Sequence, residues 1–281
     1  MIGTLFAQEF RTTRRTLCTA VGILVLCTVV ALAAAALRIP ILGTLGIGGS
    51  TIAAIAVLPL VLGILAASYW RTMYGRQGYF TMTLPVHGRD LFTAKVLYAL
   101  AASVAALVVA ALILAGVGIA AALADGLGPF DIVRDVLVQL GTGIELVGVG
   151  VSVFFAGALL LQLVSIVVTG AALMSIGSEA RFNHLGFGAP VIGAVITYFG
   201  MQVLGLAATL FIPLGIRVDG PDTGSFVAEG MLSGFVAAVS DPTGETQPGV
   251  LGVGIVLLSL VVTVLFAWRG ARSVERRTSL R

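Results

Sequence analysis

The side chains that most often do chemistry are scarce in this chain and lie far apart. Its two histidines are His87 and His184, and its two cysteines are Cys18 and Cys27. A catalytic zinc needs three His, Cys or carboxylate ligands converging on one ion, and no His or Cys cluster supplies them. On a helix Cys18 and Cys27 are roughly 13 Å apart, beyond disulfide reach, so both are read as small buried hydrophobes. Lys95 is the only lysine, and no glycine-rich phosphate loop precedes it, so no P-loop binds a nucleotide here. The G-x-S-x-G, H-E-x-x-H and G-x-G-x-x-G patterns are missing too. The sequence offers no catalytic residue and no metal site.

Polar side chains that could act at membrane depth are mild. Gln162, Ser165 and Thr169 follow an i, i+3, i+7 spacing that puts them on one helix face. Tyr198, Gln202, Gly205 and Thr209 share a face of another run. Two readings stand: interhelical hydrogen bonding with close packing by small residues, or a weakly polar path for an amphiphilic substrate.

The elements that must hold these residues follow from composition. Of 281 residues, 58% are hydrophobic and 10% charged, and the mean hydropathy is +1.10. A soluble domain carries about 25% charged residues, so part of the solvent of this chain is lipid. A helix crosses a bilayer with about 20 mostly apolar residues. Six runs reach that scale, at 17–37, 51–69, 96–123, 146–174, 188–212 and 250–268, and none contains Asp, Glu, Lys, Arg or His. The fold class expected is an all-α polytopic membrane protein, one transmembrane domain over 1–281.

Charge sets the orientation. One side holds both termini and the connections after the second and fourth runs, with 13 basic residues and 4 acidic ones; the other holds 3 basic and 9 acidic. The positive-inside rule puts both termini in the cytoplasm of a multi-pass protein of the cell membrane.

Two cytoplasmic segments are amphipathic. In residues 1–16, Ile2, Leu5, Phe6 and Phe10 cluster on one side of a helix, while Arg11, Arg14 and Arg15 lie away from them. That is the pattern of a helix lying in the headgroup plane. Glu9 falls inside the apolar arc. It either meets an Arg from another cytoplasmic segment, as a buried carboxylate requires, or is solvated at headgroup level.

The second segment, 70–95, spans most of "YWRTMYGRQGYFTMTLPVHGRDLFTAK". Tyr69, Trp70, Tyr74, Tyr79 and Phe80 suit the membrane interface. Gly75 and Gly78 permit sharp turns, Pro85 and Gly88 stop a short helix near Tyr79–Leu84, and Asp90 can cap the third span. The segment is longer than a plain connection requires. It either presents a surface or is a basic stop-transfer loop with an aromatic belt. On the opposite side "FDIVRDVLVQL" is a short amphipathic piece, and 213–249 is long and acidic. Within it "SFVAEGMLSGFVAAVS" is too short to span and fits a re-entrant or interfacial hairpin.

The N-terminal "QEFRTTRR" together with Gly78-Tyr79, Thr83-Leu84-Pro85-Val86 and Lys95 resembles the permease subunits of type-2 ATP-binding-cassette (ABC) exporters. Gln77 stands where relatives often carry an acid. The resemblance covers the topology of the whole chain, its specific residues about 25 positions. It implies six spans per permease, an interface helix containing Phe6, Glu9, Phe10 and Arg11, and short outer helices between spans five and six. It implies a coupling helix between spans two and three, with Tyr74, Arg76, Gly78, Tyr79, Phe80, Leu84 and Pro85 docking on a separate ATPase dimer. It implies a second permease, a copy or a paralogue. ATP and Mg belong to the ATPase; this chain would bind no cofactor and no nucleic acid. A self-contained carrier or channel is the alternative, and a membrane-embedded enzyme or sensor a third reading.

Overall fold

The computed structural model describes residues 2–38, 41–75, 78, 83, 86–128, 130–220, 223–241 and 247–276. Among them are eight α-helices, a 3-10 helix and three short strands. The helices are α1 (Ile2–Ala36), α2 (Leu42–Met73), α3 (Gly88–Asp125), α4 (Asp131–Val147), α5 (Val149–Gly177), α6 (Gly188–Phe211), α7 (Leu232–Ser240) and α8 (Gly254–Arg276). All but α4 and α7 are long and apolar enough to cross a membrane. The chain divides into two units, Met1–Leu140 and Gly141–Ser279.

In the first unit α1, α2 and α3 pack on one another. The buried positions of α2 are Gly43, Gly46, Ser50, Ala54, Val57, Val61, Leu65, Tyr69 and Met73. That rhythm of threes and fours draws a single stripe down the helix. Phe6, Leu17, Val21 and Leu24 of α1 and Ala102 and Val109 of α3 close on the stripe. At the far end the Arg38 guanidinium donates to the Leu123 carbonyl at 3.1 Å, a cation on the C-terminal turn of α3 where the helix dipole favours it.

The outward faces are as apolar as the inner ones. Ile23 is 64% exposed and Ile55 70%. Water would penalise such surfaces, whereas lipid tails are as apolar as the side chains themselves.

The boundaries depart from the sequence expectation in instructive ways. α1 is continuous from residue 2, so 1–16 forms no separate interface helix; at 35 residues it is about 52 Å long, well over the ~30 Å hydrocarbon core. α2 begins at Leu42 rather than residue 51, through a glycine-rich stretch. The glycines allow close approach: a Cβ at Gly46 would run into the Ala31 carbonyl of α1. Gly46→Val should therefore force α1 and α2 apart and destabilise the unit by about 1–3 kcal/mol, the usual cost of overpacking. Gly48→Val, whose Cβ would meet open space, is the control, and unfolding in mixed micelles is the measurement.

Cys18 and Cys27 are exposed free thiols rather than buried, Cys18 where α1 borders a groove beside α3. Asp90 does not cap α3. The helix starts at Gly88 after His87, which puts Asp90 in the first turn, where a carboxylate still suits the dipole.

In the second unit α5 packs along α8, with α6 against both. Small and hydroxylic residues carry much of this contact, with Ser165, Ser175, Ser259, Thr263 and Ser273 all buried. Hydroxyls satisfy themselves on the preceding turn, as Thr263 does on the Ser259 carbonyl at 2.6 Å, and leave the backbones close. The fourth apolar helix starts at Val149 rather than residue 146. Gly148, at φ 87°, separates α4 from α5, a conformation that glycine adopts without a Cβ penalty.

The fold is not purely α. β1 (Gly215–Arg217) lies between β2 (Phe226–Val227) and β3 (Val250–Gly252), antiparallel to each. Ile216 pairs with Phe226 on one side and Leu251 on the other. Residues 250–252 thus belong to this sheet, and the sixth apolar helix starts at Gly254. The stretch "SFVAEGMLSGFVAAVS" divides into β2 and α7 instead of one hairpin. α7 is one short helix in the segment for which short outer helices are expected.

Candidate functional site

Lys95 ties together all three long helices of the first unit. Its ammonium group pairs with Glu9 Oε1 of α1, donates to Thr72 Oγ1 of α2 at 2.8 Å, and stands 5.6 Å from the centre of the Tyr69 ring, also of α2. Three donors thus meet a carboxylate, a hydroxyl and an aromatic face. The lysine side chain is 5% exposed and the glutamate 18%. Desolvating such a pair is costly, and the geometry must be good to offset it. The carboxylate found in the apolar arc of the N-terminal helix therefore has a partner, and that partner is the single lysine rather than an arginine.

The cluster sits where the 70–95 segment enters and leaves the helices. Thr72 lies one residue before the end of α2, and Lys95 lies two turns into α3. Tyr74 is buried against Trp70, with ring centres 5.4 Å apart, and against Tyr69 at 6.2 Å. Its backbone N–H and that of Gly75 both donate to the Trp70 carbonyl, at 2.9 and 3.0 Å. Gly78 is buried and donates to the Gly75 carbonyl at 2.8 Å. The chain thus turns sharply at the two glycines. Arg76, Tyr79, Phe80, Leu84 and Pro85, and with them the short helix expected near Tyr79–Leu84, lie outside the described residues.

The N-terminal residues separate into two roles. Phe6 meets the Tyr98 ring of α3 edge-on, with centres 5.5 Å apart. Phe10 is half exposed and Arg11 exposed. Phe6, Phe10 and Arg14 line an apolar groove of about 560 Å³ between α1 and α3.

The second unit carries its own buried carboxylate. Glu179, 4% exposed, follows the end of α5 and receives Arg269 of α8 at 2.5 Å and Arg181 of the 3-10 helix Ala180–Leu185 at 3.1 Å. Ser273 Oγ, also of α8, is 3.0 Å from the same carboxylate and 2.9 Å from the Ser175 carbonyl, which Ser178 Oγ also reaches at 2.7 Å. Sequence reasoning missed this cluster. Its signal was a lone acid in the otherwise basic connection after the fourth run, and an arginine one residue past the end of the sixth.

The polar residues proposed for a path occupy different environments. Ser165 is buried, Thr169 half-buried and Gln162 exposed on α5; Tyr198 and Gln202 of α6 are exposed. Tyr198 meets Phe199 edge-on. Gly205 is buried and accepts Thr209 Oγ1 at its carbonyl at 2.9 Å. Among the described residues no hydrogen bond joins the α5 set to the α6 set.

No group of three or more His, Cys, Asp or Glu side chains capable of holding a metal ion occurs among the described residues. Comparisons with protein-family models, with curated proteins and with solved structures find no match.

Proposed function

We propose that this chain is the membrane-spanning permease subunit of an ABC exporter, forming the translocation pathway and coupled to ATP hydrolysis in a separate ATPase subunit. The observation that carries the reading is the Lys95 cluster. The 70–95 segment, which bears the family resemblance, leaves α2 and enters α3 at a point where one ammonium group grips α1, α2 and α3. A displacement of the segment by a docked ATPase would be passed to three helices together rather than absorbed in a slack loop.

Charge supports a cytoplasmic position for the segment, on the side with the 13 basic residues. Glu9 braces the segment from α1 through Lys95, Phe6 packs close by on the Tyr98 ring of α3, and Tyr74 and Gly78 shape the first turn of the segment. The ATPase would supply the nucleotide site and the Mg. A second permease, copy or paralogue, would complete the pathway.

Two results follow. The purified chain alone hydrolyses no ATP. Affinity capture of the chain from native membranes, read by mass spectrometry, recovers an ABC ATPase that lacks spans of its own. Hydrolysis by the pure chain, or capture without any such ATPase, would return the choice to a self-contained carrier.

A further inference from the structure

We propose that α4 is a membrane-surface helix, lying flat on the face opposite the termini with its apolar side sunk among the lipids. This rests on reading the six long helices as spans, and not on any ATPase partner.

Every α4 residue whose side chain is described is exposed in this chain. The exposure is patterned. Val133, Val136, Leu137, Leu140, Ile144 and Val147 fall within an arc of about 100° on the helix. Asp131, Arg134, Asp135, Gln139, Thr142 and Glu145 fill the opposite side, with Val138 and Leu146 among them. An apolar face of this kind is left bare in water only at a cost.

The attachments of the helix decide what covers that face. α3 ends at Asp125, and the N–H groups of Gly126 and Leu127 close its last turn on the Leu123 and Ala122 carbonyls at 3.2 and 2.8 Å. α4 starts at Asp131, whose Oδ2 accepts the Gly128 N–H at 2.7 Å. At the other end only Gly148 separates it from α5. If α3 and α5 each cross once, their joined ends lie at the same membrane face, so both ends of α4 are held at the headgroup level. Its 17 residues extend about 25 Å. With four charged residues it is not among the helices apolar enough to span.

A second copy of the chain is a weaker occupant. A face about 25 Å long and 10 Å wide offers roughly 250 Å² per copy, and two such faces bury about 500 Å², well below the 1,200 Å² of a stable interface. The lipid surface is already at hand. The polar side carries Asp131, Asp135 and Glu145 against Arg134, so partition rests on apolar area and not on attraction to anionic headgroups.

The test uses the full chain in phosphatidylcholine bilayers, with Cys18 and Cys27 replaced by Ala. Single cysteines at Val133, Leu140 and Ile144, and at Asp135, Gln139 and Thr142, receive a nitroxide label. Depth is read from collision with oxygen against a water-soluble nickel chelate. The apolar-arc labels should lie about 5–10 Å deeper than the polar-arc labels, and adding phosphatidylglycerol should leave that difference unchanged. Equal nickel access on both arcs overturns the proposal, because the helix is then in water. Shielding of the apolar arc from both reagents, with dipolar broadening between labels, overturns it in favour of a second copy. A label at Ile55 on α2 is the control. If nickel reaches it freely, the spanning reading fails first and the proposal with it.

Discussion

Replacing Lys95 by Met should destabilise the protein by about 3 kcal/mol, and the double variant that also carries Glu9→Met should recover most of that loss. The asymmetry follows from where the cost lies. Removing one partner of a buried pair strands the other charge, which typically costs about 3–5 kcal/mol, whereas replacing both by apolar groups is often neutral or stabilising. Glu9 keeps 18% exposure, so the lower end of that range applies. Thr72 also loses its ammonium donor, and the Tyr69 ring loses a cation worth about 1 kcal/mol. Lys95→Arg should not rescue. A planar fork needs a wider set of acceptors than one carboxylate oxygen, one hydroxyl and a ring face in a pocket this closed. Unfolding of Lys95→Met, Glu9→Met, the double variant and Lys95→Arg in mixed micelles measures the cycle. Equal, small losses in all of them would mean that both groups are hydrated at headgroup level.

Glu9 shows how far the sequence was legible. Its place inside an apolar arc announced a carboxylate in need of a partner, because helical spacing alone fixes which side it faces. The identity of the partner could not be read, since Lys95 is 86 positions away. The same limit hid Glu179 and Arg269, 90 positions apart. Long apolar runs were readable because apolar character sustained over about 20 positions outweighs any local signal. The second run was expected to begin at residue 51, after Gly43, Gly46, Gly48 and Gly49, yet the helix passes through these glycines, since tertiary packing overrides propensity. Strands of two and three residues are too short to display alternation, and so the small sheet went unread. The even exposure of Ile23 and Ile55 is the structural counterpart of the composition: where lipid is the solvent, outward faces carry no polar mark to read.

Tyr79→Ala and Gly78→Val should each abolish transport while leaving expression and membrane insertion intact, because neither lies in an apolar run. The two act for different reasons. An aromatic anchor in a desolvated pocket of a partner often costs 2 kcal/mol or more on truncation, roughly thirtyfold in affinity. Gly78 is buried and its N–H closes a turn on Gly75 at 2.8 Å, so a valine side chain would push the turn open and misplace whatever follows it. Thr81→Ser, which keeps the hydroxyl, is the mild control. A cysteine at Phe80, in a background without Cys18 and Cys27, should crosslink to the ATPase in native membranes, and Tyr79→Ala should weaken that crosslink. The Lys95 and Glu9 variants separate the steps of the transmission. If docking and grip are distinct, Glu9→Met with Lys95→Met should keep the Phe80 crosslink yet uncouple hydrolysis from transport, since the segment still binds but no longer pulls on α1. A self-contained carrier predicts no crosslink at Phe80 and near-normal transport from both Tyr79→Ala and Gly78→Val. That pair of results would remove the exporter assignment and leave the Lys95 cluster as a device of stability alone.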